Sequence, residues 1–400
     1  MERIEPMTPV GVFQYKLPPS KSHMIRQLTL ASKSLEITEI KFEGVPGEDI
    51  ISMGNCLEKM GVKIEKLTER WIVTPPKNRL IAPKETIFCG NSGTVARIMM
   101  SMVANFDSEV TIDGDLSLQK RNNSTLASCL RELGCKVSSN GFPCTVKGPI
   151  KPKDIEIDAS ESSQPISALI LSSSDFDGTM KLTIKGKEIS RGYLQLTTKL
   201  AKRWGLKGDF ENNSILLSSW KVVTPKIVKI PSEMSLYPMA ILLDNLHGNL
   251  QVEIEEQDID ELLMTTLEVL ENPDINRINL RDASDIITPA AALMAISDGG
   301  EIFGAAHTKG KESDRIKRTS ELLNLFSLNC EVKEDGLLLL GGEIPVKPDS
   351  PINTYMDHRL AMTAVILGTY CGAEIINPDI IKVTHPDFMK MIKALKLLQP

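Results

Sequence analysis

Charged and hydroxyl residues recur in this chain as short packets set against apolar runs. Ser20-Lys21-Ser22-His23-Met24-Ile25-Arg26 puts two cations about one helical turn apart. Gly90-Asn91-Ser92-Gly93-Thr94 offers backbone N–H groups that a ligand can approach closely, and Ser162-Ser163-Gln164 offers hydroxyls and an amide. Lys309-Gly310-Lys311-Glu312-Ser313-Asp314-Arg315 is the densest packet. Asp357-His358-Arg359 stands directly before the apolar run Leu360 to Leu367. Charges in that position are costly unless they are paired or bound to something. Arginine forks and lysine suit carboxylates and phosphates, and helix N-termini add positive partial charge. Together these packets indicate a site for an anionic metabolite. Each packet also has a purely structural reading: Ser20 and Ser313 as N-caps with solvated bases, and the glycine-rich turn as a turn.

The elements that must position these packets repeat along the chain. A helix-then-strand phrase ends at Gly61, Gly134 and Gly205, each where a left-handed helix cap is expected. A fourth copy, Leu322 to Asn329, is expected to use Asn for that cap, and weaker copies end near Asn272 and the C-terminus. Six polar packets interleave with these phrases: those at 20–22, 91–94 and 162–164, then Glu233-Met234-Ser235, Asp282 to Asp285, and 357–359. Behind them lie runs apolar on nearly every side, such as Ile98 to Val103 and Ala290 to Ile296, the mark of buried helices. The chain therefore reads as an α/β protein of six units, grouped three plus three. Residues 17–228 are expected to form one domain, and 1–16 with 229–400 the other.

Composition bounds the function. The 400 residues suggest two or three domains, and the net charge of −6 argues against a general nucleic-acid binder. Eighteen aromatic residues are too few for a base-stacking platform. No apolar run reaches the length of a membrane span, and the acidic N-terminus lacks a signal peptide's apolar stretch. Seven cysteines with no CxxC pair make zinc improbable and fit reduced thiols in a cytoplasmic protein.

Taken together and in this order, the packets resemble the enolpyruvyl transferase family and, within it, the 5-enolpyruvylshikimate-3-phosphate (EPSP) synthases, from Leu17 to Pro386. The best markers are Ser20-Lys21-Ser22 with Arg26, Asn91 to Thr94, Ser162 to Gln164, Lys311 to Arg315, and Tyr355 to Met362. The resemblance implies a two-domain inside-out α/β barrel fold, each domain three βαβαββ units, with the active site in the interdomain cleft. It implies transfer of the enolpyruvyl group of phosphoenolpyruvate (PEP) to the 5-hydroxyl of shikimate 3-phosphate, without a metal or other cofactor, by a monomer. Lys21, Ser22 and Arg26 would hold shikimate 3-phosphate; Ser162, Ser163, Ser190 and Tyr193 would enclose its phosphate. Gly93, Gln164, Arg315 and Arg359 would bind PEP, and Lys311 would bridge both substrates. Asp282 would be the base, and Glu312 or Lys21 the acid.

Departures accompany the resemblance. A family arginine falls on Ser117, the following proline on Asn122, and a family lysine on Val383, with Lys382 one residue early. Losing two charge-assisted contacts of about 1.5–3 kcal/mol each would weaken PEP binding roughly 10²- to 10⁴-fold, with Lys120, Arg121 or Lys382 as possible replacements. The alternatives are a related transferase with another acceptor, and a catalytically silent paralogue that binds a metabolite or partner. A UDP-N-acetylglucosamine enolpyruvyl transferase would carry a cysteine near 114–122; Cys129 and Cys135 lie beyond that loop and read as core. His23, His307 and His385 read as surface or helix-start residues.

Overall fold

The computed structural model describes residues 1–186, 190–208, 211, 213–254 and 276–399. They fall into two compact units. The first comprises Ser20–Glu43 and Glu48–Ile230; the second comprises Met1–Pro19, Gly44–Gly47 and Pro231–Pro400.

The repeats seen in the sequence are repeats of sheet topology. In the first unit, Thr38–Lys41 pairs in parallel with Val228–Lys229 and antiparallel with Arg70–Thr74. Ile87–Phe88 and Val110–Asp113 form the next parallel pair, with Cys144–Lys147 antiparallel beside it. Ile155–Asp158 and Thr179–Lys185 form the third, flanked by Ser214–Ser218. The second unit reuses the pattern in Arg277–Asn279 with Gly300–Phe303 and Leu337–Leu339, and in Ile352–Asn353 with Ala373–Ile376 and Glu2–Ile4. Gly11–Tyr15 pairs in parallel with Leu250–Ile254.

Within each unit the apolar helices pack on one another. Lys21–Ala31, Gly93–Val103 and Gln164–Ser172 do so in the first unit. Tyr237–Leu246, Ile287–Ile296 and His358–Cys371 do so in the second. Helices of Ala, Ile, Leu and Met bury every face, and this leaves their polar N-terminal packets as the places where charge can gather.

The caps follow the expectation with one correction. Gly61, Gly134 and Gly205 all have positive φ, of 91°, 87° and 115°. In the fourth copy the left-handed residue is Ser327 (φ 61°), not an asparagine. Asn324 instead uses its side chain to accept the Cys330 N–H, which ties the helix end to the next strand. The weaker copy near Asn272 lies outside the described residues.

His385 is buried in the second unit, not a surface residue, and its Nε2 lies 2.9 Å from the Lys16 carbonyl. Desolvation lowers its pKa from 6.5 to about 4. The unfolded chain therefore binds a proton that the folded chain refuses between these two values. Stability is full above about pH 6.5 and is lost as pH falls toward 4, by up to about 3 kcal/mol. Urea titrations across this window should show that slope, and His385→Asn should flatten it; an equal slope in both proteins would assign the effect elsewhere.

Candidate functional site

In the first unit the bases are not solvated. Lys21 opens its helix with Nζ 3.0 Å from Asp49 Oδ2, and that carboxylate is itself buried. Arg26 is 2% exposed. Its Nε donates to Thr197 Oγ1 (2.7 Å), Nη1 to the Ser22 carbonyl (2.9 Å) and Nη2 to the Tyr193 carbonyl (3.4 Å). Arg26 thus fixes the backbone of two other candidate residues. Ser163 Oγ donates to the Ser190 carbonyl at 3.1 Å. Ser190 has φ 53°, a strained position for serine, and caps the helix Arg191–Arg203. Ser162 Oγ accepts the Gln164 N–H. Ser162, Ser163, Gln164, Ser190 and Tyr193 are therefore linked by short contacts.

A second cluster surrounds the glycine-rich turn. Arg97 Nη1 donates to Gln164 Oε1 at 2.6 Å, and Nη2 to the Asn122 carbonyl at 3.0 Å. Arg121 Nη2 donates to Asn91 Oδ1 (2.7 Å) and to Ser117 Oγ (3.2 Å). A Cβ on Gly93 would stand 2.8 Å from Arg97 Nη1 and 3.2 Å from Arg121 Nη1. Glycine lets two guanidinium groups crowd the start of Gly93–Val103. Asp115 holds the loop: its Oδ1 accepts the Ser117 and Leu118 N–H groups, and its Oδ2 accepts Asn91 Nδ2. The position that lost a cation, Ser117, is therefore in contact with Arg121.

In the second unit the helix starts are wired together. Arg315 is 1% exposed and meets three carboxylates. Its Nε donates to Asp357 Oδ2 (2.9 Å), Nη1 to Asp285 Oδ1 (2.7 Å) and Nη2 to Glu312 Oε2 (2.6 Å). Burial opposes its charge, but Asp357, Glu312 and Asp285 outweigh that and hold the guanidinium firmly protonated. Arg359 donates Nη1 to the Ser235 carbonyl and Nη2 to Ser235 Oγ, both at 2.8 Å. Ser235 Oγ in turn donates to Glu233 Oε1. Asp285 lies 3.8 Å from Lys311 Nζ and 3.9 Å from Arg359 Nη2. Lys311, Arg315 and Arg359 are thus gathered around one carboxylate.

The reading of the 309–315 packet as a Ser313 cap with solvated charges is corrected here. The N-cap is Asp314, not Ser313; Ser313 Oγ donates to Asp357 Oδ2 at 3.0 Å. Asp357 caps His358–Cys371 by accepting the Arg359 N–H, and is 0% exposed. Tyr355 and Met356 immediately before it are both left-handed, at φ 50° and 57°. Asp282 is exposed three residues from the wired Asp285. His307 is half-buried rather than surface, with Nε2 unpartnered among the described residues; burial and then Lys311 lower its pKa to about 4.

Asp285, Arg97 and Asp49 are the residues sequence reading missed. Asp285 lay inside a noted packet, but two carboxylates three residues apart carry no mark of which one faces the cations. Lys382 pairs with Asp379, and Val383 is 4% exposed in the core. Cys129 and Cys135 are core, as expected, and burial pushes their thiols up to about 12 and about 11.

A family model described as EPSP synthase (3-phosphoshikimate 1-carboxyvinyltransferase) matches residues 13–217 and 222–392. A 3-phosphoshikimate 1-carboxyvinyltransferase of Caldicellulosiruptor saccharolyticus is 28% identical, covering 94% of this chain and 95% of its own. One of Methanothermobacter thermautotrophicus is also 28% identical, over 93% of each. Among solved structures, an EPSP synthase of Acinetobacter baumannii superposes with a TM-score of 0.79 at 21% identity, covering 98% of this chain and 97% of that one. The enolpyruvyl transferase NikO of Streptomyces tendae gives 0.76 at 12% identity, covering 98% and 96%. These likenesses bear out the expected fold class.

Proposed function

We propose that this chain, which belongs to the EPSP synthase (3-phosphoshikimate 1-carboxyvinyltransferase) family, transfers the enolpyruvyl group of PEP to the 5-hydroxyl of shikimate 3-phosphate and releases phosphate. One observation carries the reading at the level of residues: Lys311, Arg315 and Arg359 collect around a single carboxylate, with Glu312 on the same arginine. That is the cation arrangement an anionic substrate needs, with a carboxylate beside it.

The roles are those that the family resemblance implies. Ser162, Ser163 and Ser190 offer hydroxyls to the 3-phosphate, with Tyr193 lining the pocket; Lys21, Ser22 and Arg26 hold the acceptor. Gly93, Gln164, Arg315 and Arg359 receive PEP, and Lys311 serves both substrates. Asp282 takes the proton of the attacking hydroxyl. Glu312 or Lys21 protonates the methylene carbon of PEP, and this creates an oxocarbenium-like centre for the hydroxyl to attack. Loss of phosphate from the tetrahedral adduct restores the enol ether. Fixed cations stabilise the charge that moves through these steps.

Arg121 takes over the duty of the missing arginine, because it already contacts Ser117 and crowds Gly93. Arg121→Ala should raise the KM for PEP about 10- to 100-fold with kcat changed only a few-fold. A KM within twofold of the unsubstituted value would remove Arg121 from the site. The test of the whole reading is phosphate release from shikimate 3-phosphate over a wide range of PEP. Saturable release is expected; no release at high PEP would defeat it. We further infer a cytoplasmic monomer whose ligands are small anions. The monomer is what the family resemblance implies, and the free cysteines fit a reducing compartment.

A further inference from the structure

We propose that the first unit carries a second binding site, for a small carboxylate with an apolar body, in a cavity at the opposite end of helix Lys21–Ala31 from Lys21. The inference does not rest on the functional reading above.

The cavity has a volume of about 360 Å³, within the range that small-molecule sites occupy. One wall is the chain that follows the helix, from Ser32 to Leu35 with Ile37; the other is the segment Thr74 to Leu80. The eleven residues of the helix set it about 16 Å from the Lys21 packet.

The charges on these walls are of two kinds. Lys33 is already engaged. Its side chain is 3% exposed, and Nζ lies 2.7 Å from Asp175 Oδ2 while donating to the Leu171 carbonyl (3.1 Å) and to Ser174 Oγ (3.4 Å). It thereby neutralises the one carboxylate that lines the cavity, and places a cation at the end of helix Gln164–Ser172. The carbonyls ending Lys21–Ala31 are also satisfied: Ser32 Oγ donates to Thr29, and the Lys33 and Ser34 N–H groups donate to Leu30 and Ala31. Lys77, Asn78 and Arg79 are different. All three are exposed, and none of their side chains has a hydrogen bond or ion pair among the described residues. Two uncommitted cations and an amide face no uncommitted carboxylate, so the complementary ligand charge is negative. A guanidinium fork beside an ammonium suits a carboxylate.

The apolar part of the walls sets the rest of the ligand. Leu35 is 68% exposed and Ile37 64%, and Pro75, Pro76 and Leu80 are half-buried. Large apolar side chains open to water gain by being covered. The frame is held before anything binds. Pro75 and Pro76 have fixed φ, the Ile81 N–H donates to the Met60 carbonyl (3.0 Å), and Ser34 Oγ lies 2.5 Å from Thr224 Oγ1. A bare phosphate would leave Leu35 and Ile37 uncovered, and a neutral apolar molecule would leave Lys77 and Arg79 unmatched.

The test titrates the full protein with 3-(4-fluorophenyl)propionate, followed by its fluorine resonance, at about 150 mM salt. Saturation at one site is expected, with a Kd of about 1 mM or below for a fragment of this size. The neutral analogue 3-(4-fluorophenyl)propionamide should bind at least about tenfold more weakly, a comparison that needs no variant. The double variant Lys77→Met, Arg79→Met should weaken the carboxylate at least about tenfold, and so should Leu35→Asp, which sets a like charge on the apolar wall. These three positions are exposed, and unchanged circular dichroism checks that the variants fold. No saturation by about 10 mM, ten times that Kd, overturns the inference. Equal affinity for the amide, or for the double variant, overturns it in favour of a bare apolar patch. Displacement by an equal concentration of inorganic phosphate overturns it in favour of a phosphate site. Displacement by shikimate 3-phosphate overturns it by placing the probe in the candidate functional site.

Discussion

Arg315→Met is expected to destabilise the second unit by about 3–5 kcal/mol, because it leaves buried carboxylates without their counter-charge. The largest part comes from Asp357, which is 0% exposed and can neither reach water nor leave its cap. Glu312 and Asp285 are less confined and relax toward solvent or Lys311. The two units can be followed separately. Trp71, Trp204 and Trp220 all lie in the first unit, so their fluorescence follows that unit alone, whereas far-ultraviolet circular dichroism follows both. The variant should show an early loss of dichroism in urea without a matching fluorescence change. Arg315→Lys should fall between, since one ammonium cannot reproduce the planar three-way contact. A Met variant that unfolds like the unsubstituted protein would mean that the network does not hold this unit together.

Asp282→Asn should cut kcat by about 10²- to 10⁴-fold, the usual worth of a positioned base. Binding of shikimate 3-phosphate should change only a few-fold. The split matters because Asp282 is exposed and its removal leaves the Arg315 contacts intact. Asp285→Asn provides the contrast, since it withdraws a carboxylate from Arg315 itself and should alter stability and PEP affinity together. An unchanged kcat in Asp282→Asn, with a large loss in Asp285→Asn, would move the base to Asp285.

The repeat was legible because each helix phrase ends on a residue that enters the left-handed region. At Gly61, Gly134 and Gly205 that residue was a glycine, and the reading held. At Ser327 it was not, because a side-chain contact from Asn324 secures the helix end instead. Ser214–Ser218 pairs antiparallel with Thr179–Lys185, a partner more than thirty residues away that no local pattern marks. His385 shows the same limit. As one residue it resembles any polar loop position, and only the packing around it excludes water.

The amino-acid sequence by itself determined the α/β class, the six polar packets ahead of apolar helices, and which residue types carry charge in them. These are local properties: apolar periodicity, cap chemistry and side-chain charge act over a few neighbouring residues. Tertiary structure alone decided which charges meet. It put Arg97 against Gln164, brought Arg315 to Asp357, and chose Asp285 over Asp282 as the carboxylate among three cations. Those pairings depend on distances between segments up to dozens of residues apart, and electrostatic energy follows distance and burial rather than sequence order.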